Sequence, residues 1–226
     1  MANRFCAYIL TSLAAVSFLA APTLAQDTRA AAEPDDKAPC ELHIWAAKDF
    51  ASMPFGHGLG ELAFHFPGNL DETSDQQFVD IASANLQIEA VLRADPVASL
   101  GLPAGTAVVT HLETEDERSI KQRKERRSTS QATCYYELHM GSNYLIEDIV
   151  WGDRFTTTFD VRQYRDDAQW VFRHRGEGAN KLTVFPVKEE DDPAEVISKV
   201  SEAIEANFVE YAPKAKRNLE RKSRRR

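Results

Sequence analysis

Two short segments repeat the same residue types in the same order, Cys40-Glu-Leu-His43 and Cys134-Tyr-Tyr-Glu-Leu-His139. Cysteine can form a disulfide, and Glu with His can hold a divalent cation or move protons. Read as strands, whose side chains alternate, each segment sorts its residues onto two faces. Cys40, Leu42 and Ile44 share one face, as do Cys134, Tyr136, Leu138 and Met140. The other face carries Glu41, His43 and Trp45 on one segment, and Glu137 and His139 on the other. If the strands are adjacent and in register, Glu41, His43, Glu137 and His139 meet as candidate metal ligands. No H-x-x-x-H spacing supports a metal. The simpler expectation is a hydrogen-bonded polar face with no metal and no other cofactor.

The cysteines also report on compartment. Arg4 precedes an uncharged run, Ala7 to Ala21, the length of a secretory signal core and too short for a membrane span. Thr23-Leu-Ala25 then offers small residues for cleavage, so residues 1–25 read as a signal peptide and the mature chain starts near Gln26. An uncleaved anchor is the alternative. Export to the periplasm or beyond follows. Cys6 leaves with the signal, and a Cys40–Cys134 disulfide is expected in an oxidising compartment. The chain-entropy model credits such a loop with roughly 4–5 kcal/mol.

With 226 residues, 43% hydrophobic and 27% charged, the chain has material for one domain and is not disordered throughout. Residues 26–39 read as a disordered leader and 40–212 as the domain. Its elements are a strand at Glu41–Trp45, then a Gly- and aromatic-rich loop from Ser52 to Asn69. Ser74 caps a helix that runs to Asp95-Pro96, and a short helix closed by Gly101 follows. Another strand covers Thr106–His111. Residues 113–131, acidic then basic, read as an exposed insertion with nothing to bury. Runs at Cys134–Met140, Tyr144–Trp151, Phe155–Arg165, Trp170–Arg173 and Leu182–Val187 read as antiparallel strands, with Gly141-Ser-Asn143 and Gly176-Glu-Gly178 among the turns. A last helix, capped by Asp192 with Pro193 behind it, ends at Pro213. The class is α+β: a mixed, mostly antiparallel sheet with helices packed on one face.

Two features suit partners. Phe55, Leu59, Phe64 and Phe66 lie among mobile glycines, fit either for docking or for covering the edge of the core. Residues 213–226 form a basic tail, with eight Lys or Arg, Arg221, Lys222, Arg224, Arg225 and Arg226 among them, against one Glu. The formal net charge is −8, which leaves −16 on residues 26–213 once Arg4 and the tail are set aside. An envelope protein, anionic lipid or lipopolysaccharide suits this tail; nucleic acid does not suit an exported protein. G-x-S-x-G, S-x-x-K, H-E-x-x-H and C-x-x-C motifs are absent from the chain.

Through Cys40-Glu-Leu-His-Ile-Trp and Cys134-Tyr-Tyr-Glu-Leu the chain resembles uncharacterised exported proteins of Gram-negative bacteria. In element order over about residues 40–210 it also resembles the periplasmic domain of the curli-secretion channel and the amino-terminal domain of the Tol translocation protein. Both run strand–helix–strand, then long paired strands, then helix. It lacks the lipidated Cys and channel hairpins of the secretion family, which argues against a pore. The resemblance implies a non-enzymatic envelope protein that works by contact. A binder of a small apolar ligand between sheet and helices is the alternative reading, and a hydrolase with an unrecognised site the second alternative. The signal reading predicts that protein recovered from the cell envelope begins at or near Gln26. Intact mass measurement checks this, and a chain retaining residues 1–25 would contradict it.

Overall fold

The computed structural model describes residues 40–55, 81–148, 154–165, 169–184 and 190–224. The signal and leader segments, Leu59, Phe64, Phe66, Ser74, Arg225 and Arg226 lie outside them. Six strands form one sheet: β1 Glu41–Ala47, β2 Asp49–Phe55, β3 Ala107–Glu115, β4 Tyr135–Asp148, β5 Arg154–Tyr164 and β6 Trp170–Lys181. The order is β3-β1-β4-β5-β6, with β2 joined to β4 beyond the end of β1. The antiparallel ladders β4–β5 and β5–β6 are the longest, while β1–β3, β1–β4 and β2–β4 are parallel. The class is α+β with a mixed sheet.

Helices α1 Ala84–Arg93, α2 Pro96–Leu100 and α4 Pro193–Ser223 pack on the apolar face. Ser83 caps α1, and Asp95 caps α2 from a left-handed conformation, its carboxylate accepting from the Ala98 N–H. Gly101, also left-handed at φ 66°, closes α2 as its sequence position predicts. Leu42, Ile44, Leu138, Met140, Phe159, Val161, Ile204 and Phe208 are buried between sheet and helices. Each such side chain contributes about 1.5–3 kcal/mol of burial energy. Gln87 ties α1 to the sheet: its Oε1 accepts from the Ala47 N–H at 3.0 Å, and its Nε2 donates to the Ala47 and Ala82 carbonyls. A fourth helix, α3 Glu117–Gln122, lies across the opposite face.

Several expectations need correction. Gly141-Ser-Asn143 is a bulge within one long strand, β4, and not a turn. A Cβ on Gly141 would come within 2.6 Å of Thr158 Oγ1, so glycine serves close approach there. Gly176 and Gly178 likewise lie within β6, and residues 182–184 are not strand. Residues 113–131 are no exposed insertion. They finish β3, form α3 and cross the polar face, with Ile120 only 1% exposed. Finally, α4 runs through Pro213 to Ser223, so most of the basic tail is helix and the domain extends past residue 212. Tyr211, Ala212 and Ala215 are fully buried and Leu219 packs on the core, so burial holds the helix across the proline. Pro213 is exposed, where water can take the place of the backbone bond it lacks.

Helix α4 sits on β6 so closely that a Cβ on Gly178 would fall 1.9 Å from the Asn207 carbonyl oxygen. Neither helix nor strand backbone can yield cheaply. Gly178→Ala is expected to lower stability by about 3 kcal/mol, the upper range for overpacking. Urea denaturation checks this; an unchanged midpoint would contradict the contact.

Candidate functional site

Cys40 and Cys134 form a disulfide, with Cα atoms 4.5 Å apart, at the start of the β1–β4 pair. From there the parallel register sets Glu41 against Tyr135, His43 against Glu137 and Trp45 against His139. The four candidate ligands therefore share one face, joined by His111 of β3 and by Asp160, Arg162 and Tyr164 of β5.

Each Glu is bound to the His two residues on. His43 Nε2 lies 2.9 Å from Glu41 Oε2, and His139 Nε2 lies 2.9 Å from Glu137 Oε2. The four side chains form two hydrogen-bonded pairs, and among the described residues no group of three or more His, Cys, Asp or Glu is placed to hold a metal ion. Around the pairs the layer is continuous. His43 Nδ1 is 2.8 Å from His111 Nε2, and Trp45 stacks between His111 and His139 at centroid distances of 4.2 and 4.8 Å. The hydroxyls of Tyr135 and Tyr164 donate to Glu137 at 2.9 and 3.0 Å. Arg162 donates to Asp160 at 2.8 Å, and Arg173 reaches the same carboxylate at 2.5 Å.

Residues 116–132 cover this layer. The Arg127 N–H donates to Glu137 Oε1 at 2.6 Å, and Ser130 Oγ donates to Glu41. The guanidinium of Arg127 lies over the Trp45 ring at 5.0 Å and that of Arg126 over Tyr135 at 4.4 Å. Arg162 donates to the Ile120 carbonyl at 2.5 Å, and the Glu125 carbonyl lies 3.1 Å from the Tyr164 hydroxyl oxygen. A polar segment thus buries polar groups against a polar sheet. Exposure of Glu137 and His139 is zero and that of His43 is 4%.

The charges follow from these contacts. Burial raises the Glu137 carboxyl, but the bonds from His139, the Arg127 N–H and Tyr135 outweigh it and hold the group below its usual range. Burial lowers His139, against the pull of Glu137, so the ring is neutral and donates Nε2–H. Its Nδ1 is buried without a partner. Burial first, then Glu137, pushes the Tyr135 and Tyr164 hydroxyls up, so both stay protonated donors. Hydrogen bonds from His43 and Ser130 lower Glu41.

Chemically the arrangement can relay protons inside the layer, and its Glu137 and His139 have no exposure to solvent. The hollow between Glu117, Gly141, Thr158, Asp160 and Arg175 measures about 180 Å³ including open solvent. That is below the roughly 300 Å³ at which ligand pockets begin. The other candidates lie apart. Phe55 ends β2 opposite Asp148. Arg221, Lys222 and Arg224 are exposed on the last turns of α4. Sequence reasoning missed His111, Tyr164, Asp160, Arg162, Arg126 and Arg127. Strand parity in β5 pairs Asp160, Arg162 and Tyr164 on one face, a usable signal; nothing marked the two arginines of the cover.

No family model matches the chain, and no curated protein matches it. Among solved structures, a Xanthomonas campestris protein of the family model DUF330 aligns at 12% identity and a TM-score of 0.38, over 83% of this chain and 90% of that one. A hypothetical protein of Chlamydia trachomatis aligns at 8% identity and 0.27, over 73% and 98%. Both neighbours are uncharacterised proteins of Gram-negative bacteria; neither is a curli-secretion or Tol protein. Likeness at this level carries no functional argument.

Glu137 gathers four donors, so Glu137→Gln sets an amide N–H₂ against part of them and removes the charge on which they converge. A stability loss on the order of 3 kcal/mol near neutral pH is expected. The native state holds Glu137 ionised below the usual carboxylate range, so between those values the unfolded chain binds more protons. The contribution is complete above about pH 4.5 and is lost as pH falls through the lowered native value. The gap between wild type and variant in urea denaturation should narrow as pH falls through that window; a constant gap would refute the assignment.

Proposed function

We propose that this is an exported, non-enzymatic envelope protein that contacts an anionic lipid surface through the C-terminal end of α4. The observation that carries the reading is a cluster of unpaired cations at one helix end. In the body Arg93, Arg123, Arg127, Arg162, Arg173 and Arg175 each meet a carboxylate. Cations without an ion pair among the described residues, such as Arg118, Lys124 and Lys181, are scattered along the chain. Lys214, Lys216, Arg217, Arg221, Lys222 and Arg224 form no ion pair among the described residues, and all but Lys216 are exposed. These cations extend from an acidic body on a helix, which fixes them as a patch. They also sit at the helix end where the macrodipole favours positive charge.

Export is supported by the apolar run behind Arg4 and by the Cys40–Cys134 bridge, since disulfides persist in oxidising compartments. Contact without catalysis is supported by the burial of Glu137 and His139, which have no exposure among the described residues. No helix among the described residues is long and apolar enough to cross a membrane, and α4 would act by lying against a surface. Curli- and Tol-like roles in envelope assembly belong to the same reading.

Cutting the chain at Pro213 would remove Ala215 and Leu219 from the core, so the test is substitution. Arg217→Gln, Arg221→Gln, Lys222→Gln and Arg224→Gln together should leave the fold intact. At about 1 kcal/mol per cation they should cut binding to vesicles with anionic headgroups by two or more orders of magnitude. Wild-type binding should weaken with salt, because exposed charges are screened beyond roughly 8 Å at physiological ionic strength. Co-sedimentation measures both. Equal binding by the variant, or indifference to salt, would refute the surface role.

A further inference from the structure

Three histidines lie in line beneath residues 116–132. His43 meets His111 at 2.8 Å, and Trp45 is sandwiched between His111 and His139. We propose that these histidines form an acid-sensitive latch: residues 116–132 close over the sheet while His111 and His139 are neutral, and open when they take up protons.

The His43–His111 contact needs a proton on one nitrogen and a lone pair on the other, so it accommodates one shared proton. A further proton, charging both rings, sets N–H against N–H. His139 has zero exposure, and a proton on its Nδ1 would be a buried donor with no acceptor. Of the described carboxylates near the layer, Glu113, on the exposed edge 3.7 Å from His111, is without a cationic partner; the others are already engaged. Glu41 holds His43 and Ser130; Glu115 holds Arg123 and Arg127; Asp160 holds Arg162 and Arg173. Glu137 holds His139, two tyrosines and the Arg127 N–H.

Every packed element contributes a charge to the balance. His111 faces His43 from β1, Glu113 at 3.7 Å on its own strand and Arg127 from the cover. His139 faces Glu137 on β4, and Asp160 and Arg162 on β5. The groups directly above are the cationic Arg126 and Arg127, so new positive charge in the sheet repels the cover. The cover is also attached with little apolar burial. Ile120 is its single buried hydrophobic side chain among the described residues, so it opens at lower cost than the core.

The titration direction agrees. Burial, then the neighbouring His43, holds His111 below its ordinary value, with Glu113 opposing. Burial lowers His139, with Glu137 opposing. Once the cover lifts, both rings return toward the ordinary value near about 6.5, so the open form binds more protons. Closure is complete above that pH and weakens as pH falls below it.

The test is hydrogen exchange on the full, disulfide-bonded chain at about pH 7.5 and about pH 5, corrected for intrinsic exchange rates. Amides of residues 116–132 should lose protection by about tenfold. Those of Val200–Tyr211 in α4 should not change. His111→Gln removes a titrating ring at the partly exposed edge, where a substitution is tolerated, and should shrink the response by at least half on a logarithmic scale. Unchanged protection of 116–132 at the lower pH overturns the latch. So does an equal loss in α4, which would be global acid unfolding, and so does a full response retained in His111→Gln.

Discussion

The parallel register of β1 on β4 is the constraint on which the rest of the molecule depends. Side chains alternate along a strand, so a slip by one residue would turn Leu42 and Ile44 toward the polar layer and Glu41, His43 and Trp45 into the core. The Cys40–Cys134 bridge closes the pair at its first step and so fixes that register. Everything on either face follows from it: α1 and α4 can pack on one side only, and the polar cover on the other.

The two faces are held by different physics. On the helix side, Phe159, Phe208 and Tyr211 contact one another through their rings, and burial of apolar area drives association without much directional demand. On the opposite side nearly every contact is a hydrogen bond or an ion pair. Such a layer specifies one geometry, because a polar group moved out of place loses its partner inside a low-dielectric region. It adds little net stability, since desolvating the charges offsets much of their attraction. The sheet is thus stabilised from one side and positioned from the other.

Much of this was legible in residue order. Alternation in Cys40–Trp45 and Cys134–Met140 separates the faces, and the caps at Asp95, Gly101 and Asp192 mark helix ends by local chemistry alone. The failures share a cause. Gly141 and Gly178 looked like turns because a glycine's nearest neighbours in space, Thr158 and the Asn207 backbone, are invisible in its sequence context. Pro213 looked like a helix end because local propensity was weighed without the packing of Ala215 and Leu219. Residues 113–131 looked dispensable because an apolar stripe was sought, when the surface they cover is itself polar. The pairing of Glu137 with Arg127, Tyr135 and Tyr164 depends on three separate strands or loops meeting, which no spacing rule encodes.

The interior position of β1 also has a meaning in time. A chain made from its N-terminus produces β1 first, yet both of its neighbours come later. β3 begins at Ala107, and the residue that Cys40 must meet lies 94 positions on. Until β3 has been made both edges of β1 are open. Its β4 edge and its thiol stay open until Cys134 and β4 appear, while β4, β5 and β6 can pair as a local meander as soon as they are made. Contacts of such long separation are slow to form because loop closure must precede them. The order of synthesis is thus not the order of the sheet: the first strand made ends between two partners that are made after it.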